Sequence, residues 1–78
     1  ALWRFFWSMD WQRILGANIL RLRNAIGATQ EDIADAAQLD VGYLGKIERG
    51  QRNPSLKKLV RIADALGVLP GKLFSVRK

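Results

Sequence analysis

The stretch Thr29-Gln30-Glu31-Asp32-Ile33-Ala34-Asp35-Ala36-Ala37-Gln38-Leu39-Asp40-Val41-Gly42-Tyr43-Leu44-Gly45-Lys46-Ile47-Glu48-Arg49 decides the fold. Thr29 reads as the N-cap of a short helix over Gln30 to Ala37, with Asp32 three positions on to complete a capping box. Glu31 and Asp32 then sit at the positive end of that helix dipole, which gives the acidic run a local structural reason. After the break at Gln38-Leu39, Asp40 reads as the cap of a second short helix, Val41 to Arg49, closed by Gly50. Small Ala34 and Ala37 fall where the two helices must approach, and Leu39 is the apolar residue that fixes their angle. Two short helices at a turn of about three residues is the helix-turn-helix spacing, which many small helical bundles also contain.

The same helical period runs outward in both directions. Upstream, Asp10 caps a helix from Trp11 to Ile26, where Leu15, Ile19, Leu22 and Ile26 form one buried stripe and Gly27 ends it. Downstream, Asn53-Pro54-Ser55 makes a turn and an N-cap. A helix from Leu56 to Leu66 follows, burying Leu56, Leu59, Ala63 and Leu66 with Ile62 beside them, until Gly67 stops it. Pro70 opens a last short turn whose Leu73 and Phe74 plug the bottom of the core. No alternating pattern of useful length occurs, so the expectation is an all-α, compact five-helix bundle.

Composition narrows the function. In 78 residues with 49% hydrophobic and 26% charged content there is room for one small globular domain. There is no cysteine and no histidine, which removes disulfides, thiolate or imidazole metal sites and histidine acid–base catalysis. No paired carboxylates, glycine-rich phosphate loop or nucleophile–base set is recognisable, so no catalytic residues, metal ligands or cofactors are expected and the chain reads as a non-enzyme. The net charge of +6 is unevenly placed: +3 over residues 1–28, −4 over 29–40 and +7 over 41–78. A small basic chain of this kind points to a polyanion-binding module, although any one charge run can equally be a solvated face.

Four blocks carry a resemblance. Thr29-Gln30-Glu31-Asp32-Ile33-Ala34, Tyr43-Leu44-Gly45-Lys46-Ile47-Glu48-Arg49-Gly50, Arg52-Asn53-Pro54-Ser55-Leu56 and Ile62-Ala63-Asp64-Ala65-Leu66-Gly67-Val68 occur in this order. Together they closely resemble the Cro/C1-type (XRE-like) helix-turn-helix repressors, over about residues 13 to 74. The resemblance implies a lambda-repressor-like DNA-binding domain of five helices. It also implies a small prokaryotic or phage transcriptional regulator, cytoplasmic and nucleoid-associated, commonly a homodimer on a palindromic double-stranded DNA operator. Position by position, it implies that Thr29 and Gln30 hold a phosphate at the start of the first short helix. Asp40, Val41, Gly42, Tyr43 and Lys46 would face the major groove, and Arg52 and Asn53 would clamp flanking phosphates. Arg23 and Glu48 would form a structural ion pair.

The chemistry suits these roles. Lys46 can donate to guanine O6 and N7 or to a phosphate, and Tyr43 can meet a thymine methyl or donate its hydroxyl. Against this stand plainer readings: Tyr43 as rim packing, Gln30 as a helix-start residue, and the basic cluster Lys57, Lys58 and Arg61 as solvation. Gln38 stands where the family has glycine, which predicts strain or a left-handed conformation there. Asp40 stands where the family has serine or threonine, and it suits a cap or a cytosine amino group. Gly42 and Gly45 leave the second short helix few side chains for base edges, so DNA shape is expected to supplement readout.

Residues 1–10 fall outside the resemblance and form a segment separate from a domain over 11–78. Leu2, Trp3, Phe5, Phe6, Trp7 and Met9 crowd around a single charge, Arg4, and Trp3, Trp7 and Trp11 share a helical spacing. Trp3, Phe6, Trp7 and Trp11 are therefore a candidate dimer or partner surface. The alternatives are a non-native leader before Met9 and an interfacial membrane anchor; the run is too short to span a bilayer. Two rival functions accompany the DNA-binding one. The first is a protein-interaction module, such as an antitoxin or partner-binding regulator, using the aromatic arm; the second is a membrane-active protein.

Overall fold

The computed structural model describes residues 9–76. Four α-helices and one 3-10 turn occupy them: α1 (Trp11–Ala25), α2 (Gln30–Ala36), α3 (Val41–Glu48), α4 (Leu56–Leu66) and η1 (Pro70–Phe74). The all-α expectation holds, with the fifth element a 3-10 turn rather than an α-helix.

Each α-helix starts at a side chain that accepts from the first turn. Asp10 takes the Arg13 N–H at 3.2 Å, Asp40 takes Tyr43 N–H at 3.0 Å and Ser55 takes Lys58 N–H at 3.3 Å. Thr29 and Asp32 form the full reciprocal box, at 3.0 and 2.9 Å. The Thr29 N–H, and then the Thr29 hydroxyl, hold the Asp32 carboxyl below the ordinary aspartate range.

All four helices end alike. A residue just past the last turn, the cap itself in α4 and the residue after the cap in the others, turns left-handed, and its N–H and the next N–H bond back to orphan carbonyls of the last turn. Gly27, Gly50 and Gly67 supply that residue in three cases, and Gln38, at φ 58°, in the fourth. After α2 the two bonds are Gln38 N–H to Asp35 O at 3.1 Å and Leu39 N–H to Ala34 O at 2.8 Å. They make the tight turn that swings the chain into α3.

The core is continuous: Leu15 and Ile19 from α1, Ile33, Ala34 and Ala37 from α2, Leu44 and Ile47 from α3, Leu59, Ile62, Ala63 and Leu66 from α4, and Leu73 from η1. α1 packs on α3 and η1, α2 packs on α3 and α4, and α4 also meets η1. The α1–α3 approach depends on Gly16, where a Cβ would fall inside the van der Waals radius of the Ile47 and Glu48 carbonyls. Asn18, buried on the same helix, donates its amide to Leu73 O at 2.8 Å and Ser75 O at 2.9 Å, tying the end of the chain to α1. Neither residue stood out in the sequence.

Three expected core residues lie outside. Ile26 is 56% exposed because it is the cap of α1, where the backbone already leaves helical geometry. Leu56 is 73% exposed because it opens α4, one turn before the buried stripe reaches the core at Leu59. In η1 Leu73 alone is buried, and Phe74 faces outward.

Candidate nucleic-acid interface

α3 has an inner and an outer side. On the inner side Glu48 accepts from Arg23 Nε at 2.7 Å, Arg23 Nη2 at 3.0 Å and Gln30 Nε2 at 2.7 Å. Arg23 also donates to Ala28 O at 3.0 Å, so one guanidinium joins α1, the α1–α2 turn and α3. The side chains are only 11% and 4% exposed, and the bidentate geometry raises the Arg23 pKa above its ordinary value. Gln30 therefore faces inward as well as lying at the start of α2.

On the outer side, Val41, Gly42 and Lys46 are exposed and Tyr43 is half-buried. Asp40 is exposed with one carboxylate oxygen committed to the cap. Gly45 lies buried, with Gln30 over it. Arg49, the cap of α3, shares the outer side, since it follows Gly42 by two helical turns and Lys46 by three residues. Its guanidinium lies back over Gly45: a Cβ there would meet Arg49 Nη1 at 3.3 Å and the Gln30 amide at 3.6 Å. A glycine at 45 thus lets a long cation reach toward the N-terminal half of the helix. Arg49 is not among the groove or phosphate residues that the family resemblance implies. Continuing the helical wheel one step would have found it.

Around α3, Thr29 and Gln30 sit together at the start of α2, and Arg52 and Asn53 are exposed in the loop before α4. Thr29 Oγ1 already accepts the Asp32 N–H, and Arg52 Nη1 donates to Gln51 O at 2.9 Å. Lys57 is exposed, whereas Lys58 is half-buried with its ammonium 4.7 Å from the centre of the Tyr43 ring. Trp11 is exposed at the start of α1. Trp3, Phe6 and Trp7 lie outside the described residues. So does the separate segment expected over residues 1–10, except for Met9 and Asp10.

This arrangement is that of a DNA-reading helix-turn-helix, and a helix-turn-helix family model matches residues 19–73. The chain belongs to the Cro/C1-type family of helix-turn-helix transcriptional regulators. It is 42% identical over 60 residues to the uncharacterized HTH-type transcriptional regulator y4dJ of Sinorhizobium fredii, covering 77% of this chain and 78% of that one. It is 36% identical over 67 residues to the control protein C.SmaI of Serratia marcescens, covering 86% and 80%. Among solved structures, the restriction-modification controller protein C.AhdI of Aeromonas hydrophila superposes with a TM-score of 0.79 at 41% identity, covering 81% of this chain and 96% of that one.

In this member of the family the charge around α3 is polarised. Glu31, Asp32 and Asp35 of α2 line an open groove of about 550 Å³ together with Ala34, Leu39 and Val41. Val41, the first residue of α3, lines that acidic groove, and the exposed bases Lys46, Arg49 and Arg52 follow it in the chain. Among the described residues, no helix is long and apolar enough to cross a membrane.

Proposed function

We propose that this helix-turn-helix regulator binds operator DNA sequence-specifically, with the outer side of α3 in the major groove. The observation that carries the reading is that the Lys46 and Arg49 side chains are on that side with no hydrogen bond or ion pair among the described residues. Lys46 and Tyr43 meet base edges, with Val41, Gly42 and the free carboxylate oxygen of Asp40 lining the contact. Arg49 adds a cation where the two glycines leave the helix bare, and its place beside Gln30 suits a backbone phosphate. Arg52, Asn53, Thr29 and Gln30 hold the flanking phosphates.

A homodimer on a palindromic operator follows from the small size of one reading surface, with half-sites about one helical turn apart. The domain proper comprises residues 11–78. The apolar sequence before it, with Trp3, Phe6 and Trp7, together with Trp11 at the start of α1, supplies the contact to the second subunit or to a protein partner. The protein acts on chromosomal or phage DNA in the cytoplasm, as a repressor or controller.

Selection of bound duplexes from a random pool, followed by titration at several salt concentrations, tests this. A single enriched motif and a steep linear fall of log affinity with log salt are expected. Arg52→Ala should weaken every duplex alike and reduce the salt slope by about one unit. A pool that yields no motif, or binding insensitive to salt, sinks the proposal.

A further inference from the structure

We propose that Lys58 is a positioning residue for DNA reading: its ammonium holds the Tyr43 ring in the orientation in which α3 presents it. The inference rests on the major-groove reading of α3 and adds a residue on another helix to it. α3 packs on α1 and α2, and α4 packs on α2 and η1, but α3 and α4 scarcely meet. The Lys58 ammonium, 4.7 Å from the ring centre, bridges that gap.

Both ends of the bridge stand on fixed backbone. Tyr43 is the third residue of α3, with its N–H bonded to the Asp40 carboxylate at 3.0 Å. Lys58 is the third residue of α4, with its N–H bonded to Ser55 Oγ at 3.3 Å. One flank of the ring packs against the core and Lys58 lies over its face, so the ring is held between apolar contacts and a cation. The lysine is half-buried, its stem lying along protein surface rather than extending into solvent. A cation engaged with a ring in this way differs from Lys46, Lys57 and Lys72, which are exposed. Removing it frees the ring to rotate, and a ring with several orientations discriminates less between a thymine methyl and its alternatives.

Affinity for the selected operator and for single-base variants of it, measured with the full chain, tests the role. Lys58→Met keeps the stem and removes the charge. It should lower operator affinity by about two- to five-fold and flatten preference at one base position, with the salt slope unchanged. Lys58→Arg should restore both, and Lys58→Met should have no further effect in a Tyr43→Leu background. In the free protein, the Lys58 ε-methylene protons should show an upfield ring-current shift that Tyr43→Leu abolishes. An equal loss on all duplexes with the salt slope reduced by about one unit would make Lys58 a phosphate ligand and overturn the proposal. A full Lys58→Met effect without the Tyr43 ring, or no ring-current shift, would overturn it too. A wild-type chain that binds no duplex sinks the major-groove reading and this role together, whereas a binding chain with the wrong Lys58 pattern sinks this role alone.

Discussion

On the inner side of α3 Glu48 accepts three hydrogen bonds and the Arg23 side chain donates three, while on the outer side the side chains of Lys46 and Arg49 have no partner among the described residues. The same helix therefore carries charges that the fold satisfies and charges that it leaves for something else. Burial explains the first set, since an ion kept from water needs a partner of good geometry. Exposure permits the second set but does not require it, so those residues report on a ligand rather than on stability. The practical lesson is that substitutions on the two sides should separate cleanly into folding defects and binding defects.

The largest test of that separation is Glu48→Ala. It strands the Arg23 guanidinium in its 11% exposed position and also frees the Gln30 amide. Unfolding in urea should show a loss of about 3–5 kcal/mol, the cost of breaking a buried pair from one end. A loss below about 1 kcal/mol, the range of a surface pair, would mean that water reaches Arg23 and that the two sides do not differ in kind. The raised Arg23 pKa favours the folded state at every pH below the guanidinium range and ceases to help only as pH climbs through it. The pair's contribution should therefore be flat across neutral pH.

Gly16→Ala probes the same inner side through backbone contact. A helix interior normally gains about 1 kcal/mol from this change. Here the new methyl meets the carbonyls of Ile47 and Glu48, so α1 and α3 must part. A net loss of about 1–3 kcal/mol is expected, which in a domain of this size lowers the melting temperature by about 4–8 °C for each kcal/mol. A rise in melting temperature would show that the two helices separate without cost.

The outer side should behave oppositely. Lys46→Ala is expected to leave unfolding within about 0.5 kcal/mol of wild type while weakening operator binding by about 1–3 kcal/mol and relaxing preference at one position. Matched urea melts and anisotropy titrations decide it. Parallel losses in folding and in binding would erase the contrast between the sides.

How much of this could be read beforehand depends on whether a feature is local. Caps at Asp10, Thr29, Asp40 and Ser55, and the ends of all four helices, follow from residues within one turn of each other, and they were legible. The Arg23–Glu48 partnership spans 25 positions and came from family resemblance, not from spacing. Gly16 and Asn18 were missed because their roles depend on which element lies opposite, and sequence periodicity does not carry that. The stripe was over-extended at Ile26 and Leu56 for a related reason: period predicts the facing side of a helix but not how far along its axis the core reaches.

Gln38 is the place where a local rule was broken and the fold followed the rule's geometry anyway. Its φ of 58° completes the same helix ending that glycine completes elsewhere in the chain, and left-handed backbone costs a side-chain-bearing residue about 1–2 kcal/mol. Gln38→Gly removes that strain but gives the unfolded chain more freedom, which offsets about 0.4–1 kcal/mol. The net gain in unfolding free energy should be of order 0.5 kcal/mol, seen as a small rise in the urea midpoint. Operator affinity should not change, because the two turn bonds to Asp35 and Ala34 use backbone N–H groups that glycine also has. If affinity falls while stability rises, the exposed glutamine side chain itself belongs to the outer surface, and the border of the binding face must be moved into the turn before α3.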